Sequence, residues 1–136
     1  MHARWDPGDV ALRCLIVDDN PGFIEAARTL LEREGVAIVA VASTSAEALE
    51  RAREVRPDVA LVDIDLGDES GLELARQLVR ADLERLRVVL ISTYPEADFA
   101  DVVAASPAVG FVAKPTLSAR AIHEVLREGA SGRPGR

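Results

Sequence analysis

Five short apolar runs rich in β-branched residues recur along the chain: Leu12 to Val17, Val36 to Ala42, Val59 to Val62, Val88 to Ile91 and Val109 to Ala113. Nearly continuous apolar character over so few residues is what a strand needs when both faces of its sheet are covered, as in parallel α/β sheets. The longer segments between the runs carry apolar residues three and four apart, the spacing of one helix face. They are Ile24, Ala27 and Leu31; Ala48, Leu49 and Ala52; Leu74 and Leu78; Phe99, Val102 and Val103; Ile122, Val125 and Leu126. Each strand is therefore expected to lead into a helix, in the order (βα)5.

Helix starts are marked independently of periodicity. Asn20 can cap a helix with Pro21 at its first position, where a missing N–H costs nothing. Thr44 with Glu47, and Ser70 with Glu73, have the spacing of a capping box, while Leu117 and Ile122 flank Ser118 as a hydrophobic staple would. Gly35 follows Glu34 where a helix C-terminal glycine belongs. Residues 12–129 form the expected domain, with 1–11 and 130–136 as flexible tails; no internal repeat is visible.

At 136 residues and 49% apolar composition, the chain is one domain's worth of material with enough apolar surface for a core. A formal charge of −7 and a pI near 4.8 argue against direct nucleic-acid binding, which needs a basic face. Cys14 stands alone inside an apolar run, so a disulfide framework is excluded and a small buried hydrophobe is the plain reading. No run approaches the ~20 apolar residues of a membrane helix, and the N-terminus carries Asp6, Pro7, Gly8 and Asp9 where a signal peptide needs an apolar core. A cytoplasmic location is expected, with no membrane partner.

Polar residues punctuate the run ends: Asp18 and Asp19 after the first, Asp63 after the third, Ser92 and Thr93 after the fourth, Lys114 after the fifth. In an open parallel sheet the carboxyl ends of the strands face one crevice, so these residues can meet there. Their joint order resembles the receiver domain of two-component response regulators (CheY-like) over residues 12–129. The acidic pair lies in Leu15-Ile16-Val17-Asp18-Asp19-Asn20. The phosphoacceptor region is Asp63-Ile64-Asp65-Leu66 with Gly71 downstream, the hydroxyl is Ser92, the switch aromatic Phe111, and the lysine Lys114-Pro115. The resemblance implies a flavodoxin-like three-layer sandwich with a parallel sheet of order 2-1-3-4-5.

The residues support that chemistry on their own terms. Two carboxylates ~5 Å apart at an effective dielectric of 20 repel by about 3 kcal/mol, so a cation is needed among Asp18, Asp19 and Asp63. Mg²⁺, a hard ion that favours carboxylates, phosphate oxygens and retained water, is the natural occupant. The resemblance implies Asp19, Asp63 and the Asp65 carbonyl as its protein ligands. It also implies Asp63 as the nucleophile, taking a phosphoryl group from a phosphohistidine on a sensor histidine kinase or phosphotransfer protein. Lys114 and Ser92 would bond the phosphoryl oxygens, and movement of Ser92 would let Phe111 turn inward and alter a surface read by an output protein. Phe111 lacks the hydroxyl of the commoner tyrosine. Neither His2 nor His123 is placed to donate. The chain is read as a stand-alone, single-domain phosphoacceptor in phosphorelay signalling and not as an enzyme beyond slow self-dephosphorylation.

Three other readings have a basis in the residues. The chain could be the receiver half of a DNA-binding transcriptional regulator, with Ser131 to Arg136 as linker, or a receiver that acts by protein contacts without phosphorylation. Asp63-Ile64-Asp65 also resembles the Asp-x-Asp of haloacid-dehalogenase-like phosphatases, but there the motif follows the first strand and here the third. The apolar stripe of the last helix would serve a homodimer, yet the same stripe is needed to cover the sheet.

Three residues depart from the family pattern. Gly67 replaces the usual proline, which should leave its loop freer. Tyr94 is expected to shield the site from water. Thr93 stands where Ala or Gly is usual, and its bulk should narrow the route to the acceptor. Thr93→Ala should accordingly speed phosphoryl acceptance from a small donor, and an unchanged rate would refute the steric argument.

Overall fold

The computed structural model describes residues 11–81, 83 and 86–131. Five parallel strands form one sheet: β1 (Arg13–Val17), β2 (Ala37–Ala42), β3 (Val59–Asp63), β4 (Arg87–Ser92) and β5 (Gly110–Ala113). Their spatial order is β2-β1-β3-β4-β5, the expected flavodoxin-like arrangement. Between and after them run α1 (Pro21–Arg33), α2 (Ser45–Val55), α3 (Gly71–Arg80), α4 (Ala100–Ala105) and α5 (Ala119–Ser131). α5 thus runs two residues past the expected boundary at 129. The tails expected at 1–11 and 130–136 otherwise lie outside the described residues, apart from Ala11. Among the described residues no helix is long and apolar enough to cross a membrane.

Alternation along each strand sorts the core into two layers. Leu15, Val17, Ala60, Val62, Val88, Leu90 and Phe111 pack toward Ala48 and Ala52 of α2, Leu74 and Leu78 of α3, and Val103 of α4. Cys14, Ile16, Val59, Leu61, Val89, Ile91 and Val112 pack toward Ala27 and Leu31 of α1 and Ile122 and Leu126 of α5. Covering on both faces is why the strands show continuous apolar runs. Cys14 is fully buried, and that burial pushes its thiol up to about 12, so it acts as a hydrophobe.

The helix signals form as side-chain caps. Asn20 Oδ1 accepts from Phe23 N at 3.1 Å, Thr44 Oγ1 from Glu47 N at 3.1 Å, Ser70 Oγ from Glu73 N at 3.2 Å, and Ser118 Oγ from Ala121 N at 3.0 Å. Leu117 and Ile122 share one core layer, as the staple requires, and Gly35 takes φ +95°. The glutamates of the two capping boxes find other partners. Glu47 accepts from Ser43 N and Oγ, which lowers its pKa, and Glu73 pairs with Arg76 at 3.2 Å.

The fourth helical segment differs from its expected stripe. Phe99 is the residue before α4 and Val103 lies buried one turn on, but Val102 is 40% exposed. α4 ends at Ala105 because Ser106 precedes Pro107 and is held extended at ψ 164°. An antiparallel ribbon, Asp65–Leu66 with Glu69–Ser70, was not anticipated; its turn is made by Gly67 and Asp68.

One close approach fixes the acceptor end of β3. Gly71 opens α3 with its amide bonded to Ile64 O at 2.9 Å, and a Cβ there would lie 1.8 Å from Asp63 O. Gly71→Ala must push α3 off β3, an overpacking cost of about 3 kcal/mol. Gly22→Ala, which meets only the movable Asn20 Oδ1 at 3.2 Å, should be near neutral. Urea unfolding of the two variants checks this: equal midpoints would refute the assigned clash.

Candidate functional site

The carboxyl ends of β1, β3, β4 and β5 bring the punctuating residues together. Asp18 follows the last residue of β1, with its amide bonded to Ala42 O at 3.0 Å. Asp63 closes β3 and Ser92 closes β4, while Lys114 opens the 3-10 turn Lys114–Thr116 directly after β5. The register pairs Ser92 with Ala113, so Ser92 and Lys114 leave the sheet at the same level.

Asp18 is fully buried, Asp63 is 6% exposed, and Asp19 is exposed at the rim. One carboxylate oxygen from each lies within 4.8 Å of the others. Lys114 Nζ sits 2.6 Å from Asp18 Oδ2 and 3.1 Å from Asp63 Oδ2. The first approach has the distance of a strong ion pair but not hydrogen-bond angles. Among the described residues, Asp18 Oδ2 is the one buried side-chain oxygen left without a hydrogen bond. Asp18 Oδ1 accepts from Asn20 N at 2.9 Å, and Asp63 Oδ1 from Asp65 N at 3.2 Å.

Three carboxylates against one ammonium leave a local deficit of positive charge. Burial first, and then the Asp18 charge, push Asp63 up to about 6, although the Asp65 amide and Lys114 pull the other way. Burial opposes the Lys114 ammonium, but the two aspartates outweigh it and raise its pKa above the ordinary lysine value. An all-oxygen donor set of three carboxylates offset by one ammonium fits a hard divalent ion. Asp18, Asp19 and Asp63 are the side chains that would hold it. Asp65 is exposed, and its carboxylate accepts from Gly67 N at 3.2 Å, turned to its own loop. That leaves its backbone carbonyl as the contribution the family pattern implies.

Ser92 is buried, and its Oγ accepts from Tyr94 N at 3.1 Å, so its O–H remains as the group to offer a ligand. Thr93 is exposed and Tyr94 is 62% exposed. Phe111 lies on the sheet face shared with Leu90 and Ser92. It is 8% exposed, with its ring centroid 6.3 Å from that of Phe99.

The expectation that Gly67 frees its loop is corrected by the structure. Gly67 holds φ +73°, a value closed to proline and costly for other residues, and a Cβ there would lie 2.9 Å from Asp19 Oδ2. The loop is tied down further by buried Leu66 and by Glu69 Oε1, which accepts from Ser45 N at 2.8 Å. Sequence reasoning also missed Phe23, whose ring centroid lies 4.4 Å from Lys114 Nζ. Its i, i+4, i+8 spacing with Ala27 and Leu31, directly after the acidic pair, was the available signal.

The raised pKa of Asp63 has a definite consequence for stability. Below pH ~4 the folded and unfolded chains both keep this proton and the site costs nothing. Between the ordinary value of 3.8 and about 6 the unfolded chain gives up its proton first, so stability falls as pH rises and the loss is complete above that range. Asp63→Asn should therefore raise metal-free stability at pH 7.5 by about 1 kcal/mol, or roughly 3–5 °C in Tm. The gain should vanish near pH 4. Calorimetry in chelator would refute this if the variant melted lower than wild type at pH 7.5.

The model of the response regulator receiver domain matches residues 14–127. A Pseudomonas aeruginosa protein described as a transcriptional regulator is 41% identical over 102 residues, covering 75% of this chain and 49% of that protein. BvgA of Bordetella pertussis, described as a transcription regulator of virulence factors, is 34% identical over 116 residues, covering 85% of this chain and 51% of BvgA. The chain thus spans about half the length of the curated relatives it matches. The crystal structure of a LuxR-family two-component response regulator from Aurantimonas superposes with a TM-score of 0.75 at 30% identity, covering 88% of this chain and 86% of that one. With the fold, the strand-end order and the family match in agreement, the chain belongs to the response regulator receiver domain family.

Proposed function

We propose that Asp63 accepts a phosphoryl group from a histidine kinase or phosphotransfer protein, and that the modified domain acts through a protein-contact surface. The observation that carries this reading is the Lys114 ammonium 3.1 Å from Asp63 Oδ2, beside a second buried acid, Asp18, in a cluster that calls for one more cation. Asp63 would use one carboxylate oxygen as the nucleophile. Lys114 would offset the anionic oxygens arriving on phosphorus, and the Ser92 O–H would donate to one of them. Mg²⁺, held by Asp18, Asp19 and Asp63 with the Asp65 carbonyl, would supply the charge neutralisation that lets one anion approach another. On this reading the domain is a stoichiometric acceptor with at most slow self-dephosphorylation.

Buried Ser92 and Phe111 on one sheet face support Phe111 as the element that carries the change to the surface around α4, β5 and α5. A cytoplasmic place follows from a kinase donor of this kind.

A second reading has its own support. The relatives above are described as transcriptional regulators about twice the span matched here, which favours a receiver joined to a DNA-binding unit over one acting alone. The mass of the gene product in its source cells separates the two. About 15 kDa would match this chain, and about twice that a joined output unit.

Intact-protein mass after incubation with Mg²⁺ and acetyl phosphate tests the chemistry. One added phosphoryl group, absent from Asp63→Asn and from a chelator control, is the expected result. No gain under any donor would leave a receiver that signals by protein contacts alone.

A further inference from the structure

We propose that Phe23 is a positioning residue for Lys114, its ring face holding the ammonium in the acidic site; this rests on the phosphoacceptor reading of Asp63. The local sequence puts the ring there. Asn20 caps α1 through the Phe23 amide, and Pro21 opens the first turn, so Phe23 stands one turn before Ala27 and two before Leu31. Ala27 and Leu31 are buried in the layer between α1 and the sheet. Phe23 packs against that layer half-buried and continues the stripe to the carboxyl edge. There the Lys114 nitrogen lies 4.4 Å from its centroid, while keeping 2.6 Å to Asp18 and 3.1 Å to Asp63.

An aliphatic residue would serve the core equally well, so the ring needs a reason beyond cover. A lysine side chain has four rotatable bonds and a strongly hydrated head, and holding it in a half-open site loses rotamer freedom. An aromatic face within about 6 Å attracts a cation through its quadrupole, and an alkyl group of the same bulk does not. The attraction matters most when Asp63 reacts. An Asp63 oxygen forms its bond to phosphorus as the donor's own bond to phosphorus breaks: P–N in a phosphohistidine, with the electron pair leaving on the imidazole, and P–O in acetyl phosphate, with the pair leaving on acetate. Asp63 then no longer offers Lys114 a free carboxylate, and the ammonium must face the phosphoryl oxygens instead. The ring is a contact this exchange leaves unchanged.

The test compares full-length wild type with Phe23→Leu, Phe23→Tyr and, should Leu fail to fold, Phe23→Met. Phosphoryl acceptance from acetyl phosphate with Mg²⁺ is followed by intact mass. The Lys114 ε-methylene proton shift, which a nearby ring face moves upfield, is read in parallel by NMR. The Leu or Met variant should lose the upfield shift and accept 3–10-fold more slowly while unfolding at an unchanged midpoint, and Tyr should restore both. A Leu or Met variant as fast as wild type, or a Tyr variant as slow as Leu, overturns the positioning role and leaves the phosphoacceptor reading intact. A wild type that gains no phosphoryl group overturns that reading and this proposal with it.

Discussion

Unbalanced negative charge at the carboxyl edge of the sheet is the constraint around which the domain is arranged. Asp18 and Asp63 are buried where β1 and β3 end, with Asp19 at the rim, and one ammonium, Lys114, stands between the two buried acids. Each close carboxylate pair costs a few kcal/mol at an effective dielectric near 20. A fold of ordinary marginal stability carries such a cost only where the core beneath is secure. That core is supplied by two layers of aliphatic side chains covering both faces of the strands that bear the acids. The instability is thus local to the strand ends, above a core that the two faces of the sheet share.

Holding the acids at such spacing is a backbone matter as much as an electrostatic one. Gly71 lets the first turn of α3 approach so closely that a single added carbon would overlap the Asp63 carbonyl. Gly67 brings the ribbon loop against Asp19 in a conformation that proline cannot take. The Glu69 carboxylate then ties that ribbon to the start of α2 through the Ser45 amide. Residues without chemistry of their own therefore decide where the reactive ones stand.

What could be read from the sequence divides along the same line. Strands, their alternation with helices and most helix starts were legible because continuous apolar runs and cap residues are local signals; the order of the strands in the sheet came only with the family resemblance. Asp18, Asp63, Ser92 and Lys114 were legible because strand-end placement in a parallel sheet converts distant positions into neighbours. The fourth helix was misread because a six-residue helix with an exposed Val102 carries too little periodicity to set its face. Gly67 was misread because a glycine in a one-dimensional pattern looks like freedom, whereas its fixed positive φ and the adjoining Asp19 carboxylate exist only in the folded loop. Phe23 was missed for the same reason: its partner is ninety-one residues away, and only the fold brings Lys114 to its ring.

The packing also dictates where a change at the site can be expressed. α5 is locked against β5, since a Cβ on Gly110 would fall 2.4 Å from Val125 Cγ1 and one on Gly129 would fall 2.8 Å from Val109 Cβ. Its first turn is fastened to the end of α1, where Glu34 Oε1 accepts from Ala119 N at 2.7 Å. α4 has six residues, and Phe99 before it gives no side-chain cap, although Ser106 secures the far end through Val103 O at 2.8 Å. Phe111 touches the site's face of the sheet and meets Phe99 at the uncapped end of α4. On the proposed chemistry, a displacement starting at Ser92 and passing through Phe111 meets least resistance at that end, because fewer hydrogen bonds and contacts must break there than along α5. The surface most sensitive to the state of Asp63 is then the start of α4, with α5 as the fixed reference against which a partner would read it.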